Sequence, residues 1–513
     1  MEFDYLIVGA GSAGATLAAR LSERGATVCL LESGPDYRGA DAPEDMRAPN
    51  PANIIVKPEY SHFRYDSLMA RRTVAQAPRV YWRGRGLGGS SAINGQIAIR
   101  APVEDFDDWV ADGALGWDFA AVLPYFNRLE TDLRYADKPY HGGSGPIPIY
   151  RAAVSRWGPV DQALGESALE AGFPWAPDHN APGALGVSPY AINSRDGVRV
   201  STNDAYLEPA RGRNHLHIEG DATVERVLFS GSRAIGVRYF RYGVAREVFA
   251  GQVLLCAGSV HSPAILMRSG IGPACHLREM GLPVRIDLPV GANFQDHPGA
   301  TFVVQLHEHV APPTGSRHTN CCIRFSSGLG DAGPGDMMIV AMNRLGDSIG
   351  RHVGGSGAIG LVTVWVNQCF SRGTVRLQSA DPAVDPFIEE NMLADPDDRL
   401  RMRDGIRRLK DLVRSDAFAA VGEVHPGGAS MDALDTNDAI DQWALANVGD
   451  TQHGTSSCRM GAPDALTTVV DPECRVLGAE GLRVIDASVM PTVVRANTHL
   501  TTVMIAERMA DRL

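Results

Sequence analysis

The chain has no basic patch. Its 48 Lys and Arg are outnumbered by 60 Asp and Glu, giving a formal charge of -12 with no cluster of positive residues. A nucleic-acid partner, whose phosphates need a concentrated Lys/Arg surface, is therefore not expected. No window reaches about 18 uninterrupted apolar residues, so no membrane span is expected either. The eight cysteines are scattered without a CxxC pair or any metal-ligand spacing. This argues against a dithiol centre or a metal site and for reduced, mostly buried thiols. No positively charged leader precedes the apolar run at Phe3, and the sequence reads as cytoplasmic. What is abundant is glycine and proline, 55 and 32 of 513 residues, which implies many turns within a chain long enough for two large units.

The first 32 residues carry the clearest local signal. Phe3–Val8 is a strand-like run rich in β-branched and aromatic residues, and Gly9-Ala10-Gly11-Ser12-Ala13-Gly14 follows at once. Ala15–Arg24 then has helical apolar spacing closed by Gly25, and Thr27–Leu31 is a second strand ending at Glu32. A G-x-G-x-x-G run alone is weak evidence. Between a strand and a helix, with an acid 18 residues beyond Gly14, it is the fingerprint of dinucleotide binding. The helix N-terminus offers free N–H groups to a pyrophosphate, and glycine lets the backbone approach it. Glu32 would hold a free ribose 2′-hydroxyl, which suits FAD or NAD rather than NADP.

Two further glycine-rich stretches follow, Gly84–Gly95 (GRGLGGSSAING) and Gly258–Gly272 (GSVHSPAILMRSGIG), with Val290–His297 (VGANFQDH) and Val484–Ser488 (VIDAS) beyond them. At these residues the chain resembles the glucose-methanol-choline (GMC) oxidoreductases, and the resemblance runs from residue 3 to the last helix. It implies an α/β fold: a Rossmann-like FAD-binding domain from residues 1–100, 190–300 and 455–513, and a discontinuous, sheet-based substrate (cap) domain from 101–189 and 301–454. It implies FAD contacts at Gly9, Gly11, Ser12, Ala13, Glu32, Arg85, Gly88, Gly89, Ser91, Asn94, Gly95, Val224, Asp486, Ala487 and Thr498. Some members attach FAD through a histidine in the first signature, but the corresponding position here is Ile93, so non-covalent FAD is expected. His261 and His297, both inside these landmarks, read as structural.

Oxidising an alcohol at a flavin needs a base for the hydroxyl proton while a hydride leaves the carbinol carbon for N5, and a neutral histidine suits the first task. In Asn447–Gly461 (NVGDTQHGTSSCRMG), His453 stands five residues before Cys458, the offset of the family's catalytic histidine. His499, in Asn497–Thr502 (NTHLTT), matches its second active-site position. Gly454-Thr455 follows His453 directly where members often read H-P-V-G-T, so the local loop is expected to differ. A terminal helix over 500–513 would begin beside His499 and direct its positive dipole end at charge developing on the flavin.

Gly145–Ile149, Val364–Asn367 and Asn447–Gly449 look most like the subgroup of 5-(hydroxymethyl)furfural oxidase and pyridoxine 4-oxidase, which oxidises primary alcohols on aromatic or heteroaromatic rings. Trp365 is the candidate apolar wall for a flat substrate, and Gln452 a candidate hydrogen bond to a polar substituent. The expected partners are a small-molecule alcohol and O2, with a dehydrogenase using a quinone or other carrier as the alternative and a flavin-containing lyase behind it.

Overall fold

The computed structural model describes residues 3–313, 315–345, 358–427 and 429–513. Strand Phe3–Val8, helix Ser12–Glu23 and strand Val28–Leu31 form the expected β-α-β unit, and the two strands pair in parallel with Val8 opposite Leu31. The helix starts at Ser12, three residues ahead of the apolar spacing. Ser12, Ala13 and Gly14 thus form its first turn, and the chain reverses at Gly9, whose φ is +97°. Only glycine adopts that angle without strain.

This unit sits in a seven-stranded sheet ordered Leu216–Glu219, Val28–Leu31, Phe3–Val8, Val244–Leu255, Arg233–Arg241, Ala222–Ser230, with Leu482–Val484 also pairing with Val244–Leu255. Where both faces are covered, at Leu6–Val8, Val28–Leu31 and Val253–Leu255, the central strands are continuously apolar and buried. Helix Thr498–Ala510 packs beside helix Ser12–Glu23 with every residue after Thr498 buried. Its Glu507 is fully buried but paired with Arg20 at 2.9 Å and with the Tyr206 hydroxyl at 2.7 Å, so no charge is left uncompensated.

A second, six-stranded antiparallel sheet runs Gly422–Pro426, Gly299–Leu306, Ile359–Val366, Met337–Met342, Cys321–Phe325, Gly186–Pro189. Side chains alternate across a sheet, and here the alternation divides two tasks. Phe302, Val304, Ile339, Val362 and Val364 pack into a core with helices Pro159–Glu170 and Pro396–Val413. Thr301, Val340, Met342, Leu361, Thr363 and Trp365 face a cavity between the two sheets.

Packing changes over near residue 150 rather than at the expected division at 101. Phe106, Trp109, Trp117, Phe126 and Ile149 join the core of the first sheet, whereas Ala152, Trp157 and Val160 join that of the second. The reason is helix Phe119–Leu129, whose apolar face lies against the terminal helix. Arg85, Gly88 and Val224 belong to the first-sheet side, as described below. All eight cysteines are unpaired and all but Cys275 are buried. Among the described residues no helix is long and apolar enough to cross a membrane.

A Cβ added to Gly14 would run into the carbonyl oxygen of Gly9. Gly14→Val should therefore cost about 1–3 kcal/mol, the range for overpacking, read as a lower thermal unfolding midpoint. An unchanged midpoint would show that the strand and helix are not in the close contact described.

Candidate active site

A cavity of about 540 Å³ lies between the sheets. Three helix N-termini open onto it, at Ser12, Gly258 and Thr498, and none carries a side-chain cap from its N-cap residue. The Gly258 end is met by Asp486, whereas those at Ser12 and Thr498 leave positive dipole ends facing one space, which is an anion-binding arrangement. The glycine loops meet backbone to backbone, since a Cβ on Gly89 would lie 2.7 Å from the Gly11 Cα. Glu32 ties them together by accepting from the N–H groups of Ala10 at 2.8 Å and of Gly34 and Gly86 at 2.9 Å. Asp486 accepts from the Gly258 N–H at 2.8 Å and the Ser262 hydroxyl at 2.5 Å.

The cavity brings together Gly9, Gly11, Ser12, Ala13, Glu32, Gly89, Ser91, Asn94, Gly95, Asp486, Ala487 and Thr498 with His453, His499, Trp365 and Gln452. Arg85, Gly88 and Val224 do not line it. Arg85 donates to the Ser33 carbonyl at 2.9 Å, Gly88 donates to the Ala10 carbonyl at 2.9 Å, and Val224 is buried within its strand. The first two brace the cradle from behind. A flavin dinucleotide fits these residues: close-approach glycines, an acid beside the turn, and dipole ends where a pyrophosphate would lie.

The protonation state of His453 follows from its neighbours. His297 Nε2 lies 3.0 Å from the Val494 carbonyl, which can only accept, so Nε2 carries the proton and Nδ1 the lone pair. That Nδ1 is 2.9 Å from His453 Nδ1. Thr451 Oγ1, 2.8 Å from the same atom, gives its own proton to Asp296 at 3.1 Å and also acts as an acceptor. His453 Nδ1 must be the donor to both. The proton is thus on Nδ1, and the lone pair on Nε2 accepts from the Asn497 amide at 2.9 Å. Trp365 stands edge-on to the His453 ring, with centroids 6.2 Å apart.

Asp296 organises this chain. Its carboxylate accepts from the His297 N–H at 2.7 Å, the His453 N–H at 2.9 Å, the Tyr81 hydroxyl at 2.6 Å and Thr451. Asp296, His297 and His453 are residue types that hold metals, but the His297 lone pair is committed to the His453 proton. The other such cluster, Glu130, Asp132 and His141, is matched by Arg100 and Arg151.

Asn497 and the orienting part of His297 were missed in the sequence, where His297 read as structural. Asn497 stands two residues before His499, yet it is Asn497 that meets His453. His499 Nδ1 is 3.0 Å from Ser12 Oγ, and its Nε2 is buried without a partner. Gln452 donates one amide N–H to Asp450 at 2.5 Å, leaving a buried Oε1 unpartnered. His261 stacks on Tyr65 with centroids 4.4 Å apart.

Burial disfavours a cation at each of these rings. It holds His453 well below the usual histidine range, helped by His297 and Arg83, and brings both His297 and His499 down to about 4. Below pH ~6.5 the unfolded chain takes up protons that the folded rings refuse. Stability is therefore lost as pH falls from that value toward the folded pKa. Replacing His499 by Gln should reduce the loss between pH 7 and 4.5 by about 2 to 3 kcal/mol in denaturant titrations. Identical losses in parent and variant would contradict a neutral buried His499.

Sequence and fold comparisons place the chain in a family. The models describing GMC oxidoreductases match residues 3–299 and 369–506. A 5-(hydroxymethyl)furfural oxidase from Methylovorus sp. (strain MP688) is 36% identical over 536 residues, covering 100% of this chain and 98% of that protein. An oxygen-dependent choline dehydrogenase from Paraburkholderia xenovorans (strain LB400) is 36% identical, covering 100% and 94%. The crystal structure of pyridoxine 4-oxidase from Mesorbium loti superposes with a TM-score of 0.89 at 29% identity, covering 100% and 99%. The shared models and the full-length relatives establish that this chain belongs to the GMC oxidoreductase family.

Proposed function

We propose that this chain is an FAD-dependent oxidase of primary alcohols on aromatic or heteroaromatic rings, with His453 as the base. The observation that carries the reading is the lone pair on His453 Nε2, set by the Val494–His297 hydrogen bonds and directed toward Asn497 at the cavity wall. FAD, when bound, would supply the acceptor for the carbinol hydride, and O2 would take the hydride's two electrons and proton with the proton held by His453, giving hydrogen peroxide. The substrate hydroxyl replaces the Asn497 amide as donor to His453 Nε2 and transfers its proton there as the hydride leaves. Asn497 Nδ2 donates to the substrate oxygen and holds it in line, and His499 offers its unpartnered Nε2 to the same cavity. The positive charge gained by His453 is spread through Nδ1 toward Thr451 and Asp296.

Trp365, Tyr190, Leu361, Val340 and Met342 give the cavity flat and apolar walls, which suits a ring-bearing alcohol. The names of the furfural and pyridoxine oxidases support the same class. Ile93 lines the cavity in the cofactor loop and cannot bond a flavin, which supports non-covalent attachment.

The test is anaerobic addition of benzyl or furfuryl alcohol to the yellow protein, followed by air. Bleaching and rapid recolouring with stoichiometric peroxide are expected; slow recolouring would replace O2 by another carrier. His453→Ala should keep its flavin and be reduced about 10²–10⁴-fold more slowly, the usual worth of a general base. Because burial holds His453 well below its ordinary range, kcat/KM should stay level from pH 8 through 6.5. Reduction of His453→Ala at the parental rate would remove the base from the scheme.

A further inference from the structure

His318 lies outside the groups used above, in the connection between strands Gly299–Leu306 and Cys321–Phe325, and it lines the same cavity. Its backbone is held by the Asn343 N–H, which donates to the His318 carbonyl at 2.7 Å. Its ring is held by a bond of 3.1 Å between Nδ1 and the Pro49 carbonyl. A carbonyl accepts only, so Nδ1 carries the proton and Nε2 the lone pair. Nε2 has no partner among the described residues, although the side chain is only 7% exposed.

Nε2 lies beside Gly95 at the cavity wall. A Cβ on Gly95 would lie 3.1 Å from Nε2, so the ring rests against a residue without a side chain. Burial, with the nearby charges of Arg317 and Arg199, holds the ring neutral by lowering its pKa to about 3. Ile97, Val340, Met342 and Leu345, which line the same cavity, carry no side-chain donor. Thr319, next in the chain, also carries a buried hydroxyl without a partner. An acceptor that lines the cavity and has no protein donor is open to a ligand that supplies one.

We infer that His318 Nε2 accepts a hydrogen bond from a second donor on the substrate, so that the cavity selects alcohols with a hydroxyl or N–H group away from the reacting carbinol. A substrate with only an ether or carbonyl oxygen at that end would set acceptor against acceptor. This inference rests on the proposed alcohol oxidation. It adds the specificity element, since neither His453 nor Asn497 would sense the far end of a substrate.

Flavin reduction is measured anaerobically with 1,4-benzenedimethanol, 4-ethylbenzyl alcohol of nearly the same shape, and 4-(methoxymethyl)benzyl alcohol as the acceptor-only probe. After allowing for its two equivalent reacting groups, the diol should be preferred by about tenfold in kcat/KM over both others. H318F should lose that preference, and H318Q, whose amide oxygen accepts, should keep part of it. The preference of the parent enzyme is readable whether or not H318F folds. Equal kcat/KM for the three alcohols in the parent, or the same diol preference in H318F, would overturn the inference while leaving alcohol oxidation intact. Flavin that stayed on the denatured parent protein but not on H318F would also overturn it, because Nε2 would then be bonded to the cofactor. If none of the alcohols bleached the parent, the proposed oxidation would fail and this inference with it.

Discussion

The Asp296 carboxylate is the interaction on which the rest of the site depends. A buried negative charge is tolerated only when donors surround it, and Asp296 collects four of them, from three separate parts of the chain. Two are the backbone N–H groups of His297 and His453, so one carboxylate sets the positions of both rings. A third, the Thr451 hydroxyl, decides by donating to Asp296 that it must accept from His453. Removing the carboxylate would leave four donors unpaired and would release the rule that puts the His453 proton on Nδ1.

The two sheets supply what that chain needs from outside. Strand Ile359–Val366 turns alternate residues to the helices behind it and to the cavity in front, so a wall of Leu361, Thr363 and Trp365 follows from a period of two. The first sheet and its flanking helices deliver the uncapped positive dipole ends at Ser12 and Thr498 to the opposite side. One side of the space thus attracts negative charge, while the other excludes water and keeps the histidines neutral.

Much of this was legible locally. The β-α-β unit could be read because strand, glycine turn, helix and acid lie within 32 residues, and their spacing is fixed by backbone geometry. His453 and His499 could be located by motif, and both line the cavity. What was not legible rests on contacts between distant segments. Asp296 and His297 lie over 150 residues from His453, and only the fold shows that a Val494 carbonyl selects a tautomer two rings away. Asn497 stood within the motif two residues before His499, with nothing in the sequence to show that its amide meets His453. Trp117 and Phe126 carry no sign in sequence that they pack on the first sheet's side, because that depends on where the terminal helix lies.

The measurement that tests the central claim most directly is ¹⁵N NMR of the histidine side chains in uniformly labelled protein, with His453→Gln used to assign the His453 signals. The account predicts a protonated Nδ1 and a bare Nε2 at His453, unchanged from pH 8 to pH 6. A proton on Nε2 at pH 7, or an imidazolium signal there, would contradict the hydrogen-bond chain from Val494 and with it the assignment of the base.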